Sequence, residues 1–279
     1  MSDLGAYLWE GVGLTAKELA LLLGPGLVLG LALHYIGEAI RLSCLRLMRV
    51  NVFVWLTMPG TVVHEAGHVF FCLLFGHRIR ELELFTPKGK HSLGQVTHSY
   101  NPLNPWHGLG HFFIGTGPIW FGAAVLYGLA MLLLGRGIAV PAAEAGLSLA
   151  DFPGALARIG AAGWRVGFNL ADPALFGHWP VYAFLYLAFS IGAHMTLSPP
   201  DLAGAFKGLA VLAVLLLLVN WATAWAGDWP EAAVLWLLRP LSVVYGVMAF
   251  ALILTASIGL ILALLAAWLG RGETPSAGR

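Results

Sequence analysis

About six apolar stretches, each close to the length of a bilayer-spanning helix, limit what this chain can fold into more than any other feature. Hydrophobic residues make up 59% of its 279 positions and charged residues 10%, whereas ordinary soluble domains carry about 25% charge. We therefore predict an all-α polytopic membrane bundle, a single domain over residues 1–270 with a polar tail over 271–279. The predicted spans are Leu19–Ile40, Phe53–Phe75, Leu109–Leu134, Val181–Leu197, Ala205–Trp225 and Leu241–Leu269.

Charge and cysteine content exclude several classes of function. The formal net charge is +1, which predicts no nucleic-acid partner. Cys44 and Cys72 lie in or beside apolar segments, where thiols usually serve as packing residues. No basic region precedes the first apolar stretch, so we expect no cleaved signal peptide. The expected location is a multi-pass position in a membrane, the inner membrane of a bacterial cell. Basic residues divide evenly between alternate loops and leave the orientation open.

The motif His64-Glu65-Ala66-Gly67-His68 lies inside the second apolar stretch. On a helix the two histidines are one turn apart and face the same way, so both imidazoles can bind one zinc ion. Glu65 stands beside them and can accept a proton from a metal-bound water. Three ionisable residues left unpaired in a span would cost several kcal/mol. The motif therefore predicts metal-assisted hydrolysis within the membrane.

A catalytic zinc site needs a third protein ligand. Asp201 follows Pro199-Pro200, which must interrupt a helix, and such breaks at membrane depth line cavities or are buried in protein. Its carboxylate can complete a site of two histidines and one carboxylate. The alternative is an N-cap of the next span, and the two roles need not exclude each other. His77, just past the motif helix, is expected at the membrane interface.

Four further polar residues are candidates for substrate contact or for support of the metal ligands: His98, Asn101, His111 and His194. The alternative for each of the histidines, and the commoner role of such residues, is a hydrogen-bonded position at the interface. Asn101 is also suited to shaping a turn with the proline that follows it.

Two loops carry additional patterns. The segment Arg78–Tyr100 alternates with period two on either side of a turn and predicts a small membrane-associated β-hairpin after the metal-binding helix. Residues 135–180 form a long connection, in which 155–166 is compatible with a short amphipathic helix lying in the interface. The sequence leaves that second helix open.

These features together resemble the site-2 protease class of intramembrane zinc metalloproteases. The likeness rests on the His-Glu-Ala-Gly-His helix, the extended segment Glu81–Tyr100 after it, the step Gly117-Pro118 that opens a later span, and Asp201 at a proline-broken helix start. It covers residues 53–225. The resemblance implies zinc held by His64, His68 and Asp201, with Glu65 as general base. It also implies a membrane-embedded or membrane-tethered protein as substrate.

Two other functions remain open at this stage. A membrane zinc hydrolase acting on a lipid or on another amide would need the same ligands and the same glutamate. A non-catalytic scaffold stabilised by a metal is the third hypothesis, although a purely structural site usually has four protein ligands and no general base. The sequence defines neither the substrate nor the oligomeric state.

Overall fold

The computed structural model describes residues 2–87, 93–135, 177–223 and 229–270, together with isolated residues between 151 and 165. The predicted tail and most of the predicted interfacial helix over 155–166 lie outside these residues. In chain order the elements are α1 (Ser2–Leu47), α2 (Val50–Leu56), α3 (Met58–Leu74), β1 (Arg78–Glu83), β2 (Gln95–Ser99), α4 (Pro105–Gly115), α5 (Gly117–Leu134), α6 (Trp179–Gly192), α7 (Pro199–Thr223) and α8 (Trp229–Gly270).

Four of the helices are long and apolar enough to cross a bilayer. They are the segments Leu4–Leu47, Gly117–Leu134, Pro199–Thr223 and Ala232–Leu269. This confirms the prediction of a mostly helical protein with membrane-spanning segments. The helices α3 and α6 are apolar but shorter, with 17 and 14 residues.

Two of the predicted spans are each divided into two helices by proline. The second breaks at Thr57, between α2 and α3, because the nitrogen of Pro59 has no hydrogen to donate to the preceding turn. The third breaks at Thr116, between α4 and α5, two residues before Pro118. The same effect separates α6 from α7, since Pro199-Pro200 opens α7 as predicted. Pro25 does not end α1, which continues through it.

The core is the region where α1, α5, α6 and α8 meet. The largest of its fully buried side chains are Tyr245, Phe184, Leu21, Leu33, Leu126, Ile191, Met195, Leu238 and Met248. The hydroxyl of Tyr245 donates to the carbonyl of Leu22 and ties α8 to α1. A polar contact joins α1 to α7, where the amide of Asn220 donates to the buried carboxyl of Glu18 over 2.8 Å.

The helix α3 is held against α5 by a close contact between two glycines. A Cβ atom on Gly67 would lie 2.8 Å from the carbonyl oxygen of Gly117, a distance that backbone does not tolerate. Small residues of this kind let membrane helices approach backbone to backbone. The contact sets the His-Glu-Ala-Gly-His segment beside the Gly117-Pro118 step.

The predicted β-hairpin is present directly after α3. Strands β1 and β2 are antiparallel, with Leu82 opposite Val96, and a bulge lies between Ile79 and Glu81. Both strands contact α3. The hairpin therefore forms one wall of the space beside the two histidines of α3.

Candidate metal centre

The two histidines of α3 are held by backbone carbonyls in one protonation pattern. Nδ1–H of His64 donates to the carbonyl of His194, and Nδ1–H of His68 donates to the carbonyl of Ile114, each over 2.8 Å. A neutral imidazole has only one N–H, so each Nε2 carries a lone pair. The two Nε2 atoms lie 3.3 Å apart. Both lone pairs are therefore presented to the same small volume.

Asp201, at the start of α7, completes the group. Its Oδ1 lies 3.4 Å from Nε2 of His68, and its Oδ2 lies 3.9 Å from Nε2 of His64. Within the described part of the chain, His64, His68 and Asp201 form the group of histidine, cysteine or acidic residues that could hold a metal ion. Their ligand atoms all lie within 4.8 Å of one another. The predicted ligand set is thus brought together from α3 and α7, although Asp201 lies 133 positions after His68 in the chain.

The spacing of these three side chains fits a metal ion. A tetrahedral site with bonds of about 2.0–2.1 Å has ligand atoms about 3.3–3.4 Å apart. The distances of 3.3 and 3.4 Å agree with that edge length, and the third is half an ångström longer. Two unprotonated nitrogens this close repel each other unless a cation lies between them. The donor set can therefore hold a metal ion.

The N-cap position of α7 is occupied by Ser198, so the prediction that Asp201 is the N-cap is wrong, and Asp201 is instead the third residue of the helix. Its Oδ2 accepts hydrogen bonds from the backbone N–H of Ser198 over 2.9 Å and from the Ser198 hydroxyl over 2.6 Å. This arrangement closes the first turn of α7 in the manner of a capping box. The capping bonds fix the carboxylate in place and leave Oδ1 directed at His68.

These ligands open onto a cavity of about 510 Å³. Its lining comes from α3, β2, α4 and α7, and includes His64, Glu65, His68, Gly94, Gln95, Val96, Thr97, His98, His111, Ser198, Pro200 and Asp201. Glu65 is 8% exposed and has no cationic partner within the described residues. A cavity of this size holds several waters and a segment of a substrate.

Gly94 lies directly on Glu65. A Cβ atom at this position would be 2.5 Å from Cγ and 2.9 Å from Oε1 of the glutamate. Only glycine therefore allows the residue before β2 to pass over the carboxylate. The hairpin is in this way packed onto the candidate general base itself.

A second group of histidines, which we call the hairpin histidines, consists of His77, His98, His107 and His111. The rings of His98 and His107 lie 4.9 and 5.2 Å from that of His77, and the ring of His111 also lies 5.2 Å from it. The side chain of His77, which was predicted at the membrane interface, is only 4% exposed. It packs between the hairpin and α4.

Within the hairpin histidines, His77 and His98 form a direct hydrogen bond. Their Nδ1 atoms lie 3.0 Å apart, and Nε2–H of His77 donates to the carbonyl of His107 over 3.0 Å. Burial, reinforced by the neighbouring His77 and His111, lowers the pKa of His98 to about 4. Burial also lowers the pKa of His77. Both rings are therefore neutral at pH 7.

The remaining predicted polar residues divide between the site and its surroundings. His98 and His111 line the cavity. His194 supports His64 through its carbonyl oxygen, while its own ring bonds to the carbonyl of Ser190 over 2.9 Å. Asn101 is exposed, and its side chain accepts from the backbone of Leu103 in a local turn, outside the cavity.

Three contributors to the site were missed by sequence reasoning. Ser198 stands three residues before Asp201, and that Ser-x-x-Asp spacing was a usable signal for a capping box. The carbonyl of Ile114 and the close approach of Gly94 leave no mark in the sequence, because they are properties of backbone brought in from distant segments.

Comparison of the chain with family models, with characterised proteins and with solved structures finds no match. The site's chemistry has therefore to be argued from its own residues.

Proposed function

We propose that this protein is a zinc-dependent intramembrane endopeptidase of the site-2 protease type, which hydrolyses a peptide bond of a membrane-embedded or membrane-tethered protein. The observation that carries the proposal is the convergence of two imidazole nitrogens and a carboxylate, 3.3 to 3.9 Å apart, beside a buried glutamate in one cavity. Two histidines, one carboxylate and an open position are typical of catalytic rather than structural zinc.

The residues that would hold zinc are His64, His68 and Asp201. When bound, zinc supplies a Lewis acid that polarises a carbonyl and makes a nucleophile of water near neutral pH. The backbone carbonyls of His194 and Ile114 keep the two imidazoles in the ligating tautomer. Ser198 keeps the carboxylate of Asp201 facing them.

Glu65 is the general base of the proposed reaction. Its carboxylate accepts a proton from the attacking water and later donates that proton to the nitrogen of the leaving amine. Its burial and its lack of a cationic partner among the described residues favour a carboxylate that takes up a proton readily. Gly94 restricts the positions open to this side chain.

Strand β2 is the proposed docking element for the substrate. Gln95, Val96, Thr97 and His98 line the cavity, and within the described sheet β2 pairs with β1 along one edge. The other edge offers backbone donors and acceptors to an extended peptide. A substrate helix has to unwind before it pairs there, since its own carbonyls are already hydrogen-bonded.

The proposal includes multi-pass insertion with six membrane segments. Besides the four long helices, α3 and α6 are the two shorter segments that bring the number to six. Helices of 14 to 17 residues are short for a bilayer of about 30 Å. Their burial inside the bundle supports a position at membrane depth.

The test is cleavage of a panel of single-span membrane proteins co-reconstituted with the zinc-loaded enzyme in liposomes. We expect cleavage by wild type, and loss of at least about 1,000-fold in Glu65→Gln because the proton acceptor is removed. Glu10→Gln, at an exposed glutamate of α1, is the matched control and retains full rate. Unchanged cleavage by Glu65→Gln contradicts the mechanism. Release of fatty acid or sphingoid base from the liposomes without protein cleavage would indicate a lipid hydrolase instead.

A further inference from the structure

Two of the hairpin histidines, His98 and His111, line the cavity, and of these two His98 is the one whose ring is hydrogen-bonded to His77. It lies on β2 and lines the cavity together with His64, Glu65 and His68. Its Nδ1 faces Nδ1 of His77 at 3.0 Å. A side chain that lines the cavity and has one ring nitrogen held by a hydrogen bond is placed to contact a bound molecule.

The protonation state of His98 follows from its neighbours. Nε2–H of His77 donates to the carbonyl of His107, so the Nδ1 of a neutral His77 carries a lone pair. The short contact with His98 is then favourable only if Nδ1 of His98 carries the proton. Its Nε2 is consequently an acceptor with no hydrogen-bond partner among the described residues.

The same pattern occurs in all three histidines that line the cavity from α3 and β2. His64 and His68 give their Nδ1–H to backbone carbonyls, and His98 gives its Nδ1–H to His77. Each therefore presents an unprotonated Nε2. Since the first two converge with Asp201 and His98 lies outside that group, the acceptor on His98 is left for another donor.

We propose that His98, oriented by His77, is a substrate-positioning residue whose Nε2 accepts a hydrogen bond from a backbone N–H of the bound peptide. The inference rests on the proposed function and adds a substrate class to it. A peptide offers N–H groups on both sides of the scissile bond, whereas a lipid ester linkage has none. An acceptor at this wall selects for amide substrates over esters.

The chain of hydrogen bonds orients His98 but does not conduct protons. It ends at the carbonyl oxygen of His107, which has no proton to release. His98 thus differs in role from Glu65, and the low pKa of its ring keeps it an acceptor across the physiological range.

The experiment uses peptidyl hydroxamates, which bind zinc directly, on the zinc-loaded protein in lipid nanodiscs. Each backbone amide of the probe is N-methylated in turn, and binding is measured by calorimetry. At one amide, N-methylation should weaken binding to wild type by about tenfold more than in His98→Asn, which lacks an atom at the Nε2 position. His98→Gln places an amide oxygen near that position and should restore the difference. The steric effect of the methyl group is common to all variants, so only the ratios are compared.

Zinc content separates this role from metal ligation. His98→Asn should keep the same zinc content as wild type, and a loss of zinc would overturn the inference. An N-methylation profile in His98→Asn identical to wild type would overturn it as well.

The tautomer is tested independently of any ligand. In protein labelled with ¹⁵N-histidine, the His98 resonances should show protonated Nδ1 and unprotonated Nε2 at pH 7, and His77→Ala should mix the two tautomers. A protonated Nε2 in wild type contradicts the inference whether or not the probe binds. If no hydroxamate binds wild type although zinc is present, the proposed function fails, and the substrate role of His98 fails with it.

Discussion

The two groups of histidines in this protein show how the same side chain serves opposite purposes. In the candidate metal centre, His64 and His68 both direct an unprotonated Nε2 toward the same point, and the two Nε2 atoms lie 3.3 Å apart. Among the hairpin histidines, the Nδ1 atoms of His77 and His98 lie just as close, at 3.0 Å, but His98 donates a hydrogen bond to His77. The first contact needs a cation, whereas the second is satisfied without one. Proximity alone therefore does not identify a metal site. What identifies it is the hydrogen bond made by the other nitrogen of each ring, because that bond fixes which nitrogen carries the proton.

The largest expected effect follows from removing one of the three proposed zinc ligands. His68→Ala removes one of three ligands, so bound zinc should fall from about one ion per chain to nearly none after dialysis. His111→Ala, at the cavity wall within the hairpin group, should leave zinc content unchanged. Zinc measured by plasma mass spectrometry decides between them. Retention by His68→Ala, or loss from His111→Ala, would show that the two groups have been assigned the wrong way round.

A second test concerns the contact between Gly94 of the hairpin and Glu65. Gly94→Ala introduces a Cβ atom into Glu65, so the carboxylate must move. A displacement of about 1 Å costs about 100-fold in rate. We expect that loss in the cleavage assay with zinc content intact. Gly128→Ala, in α5 with open space around it, is the control and should cleave at the wild-type rate. Equal cleavage rates for Gly94→Ala and Gly128→Ala would show that the contact between the hairpin and Glu65 does not contribute to catalysis.

A third test sharpens the description of Asp201. Ser198→Ala removes the hydroxyl that donates to Oδ2 of Asp201, while the aspartate itself is still present. Loss of a residue that orients a ligand typically reduces metal affinity about 10-fold to 100-fold. Competition with a fluorescent chelator measures the change. Ser43→Ala, in the exposed part of α1, serves as control. An unaltered affinity in Ser198→Ala would mean that the backbone N–H of Ser198 alone is sufficient to hold the carboxylate of Asp201.

The smallest expected effect is a pH dependence confined to the hairpin. Burial lowers the pKa of His98 to about 4 in the folded protein, below the ordinary value of about 6.5. The undocked hairpin therefore binds more protons, and the free energy of docking becomes less favourable as the pH falls from about 6.5 toward 4. Hydrogen exchange of the β2 amides, corrected for intrinsic rates, should show declining protection over that range. His98→Gln should make the profile less steep, and His77, whose pKa is also lowered by burial, accounts for the remaining pH dependence. Constant protection in wild type would contradict the burial of a neutral ring.

Local rules were sufficient for part of the site. The spacing of His64 and His68 places them on one helix face whatever the rest of the chain does. The Pro-Pro step before Asp201 predicted the helix start that carries the third residue of the candidate metal site. The hairpin followed from its period-two alternation.

The remaining features depend on contacts between distant segments. The sequence predicted one span over Phe53–Phe75, but Pro59 divides it, and a single apolar run does not reveal which residues belong to which helix. The sequence predicts His77 at the membrane interface because it follows a glycine just past a helix end. Its burial comes from α4 and the hairpin closing over it, which no local pattern encodes.

The most direct measurement of the central claim is X-ray absorption at the zinc edge of the purified protein. The account predicts two imidazole nitrogens and two oxygens at about 2.0–2.1 Å in wild type, and loss of most of the zinc signal in His64→Ala. Three or more imidazoles around the metal, or a spectrum that His64→Ala leaves unchanged, would place the ion among the hairpin histidines and contradict the account.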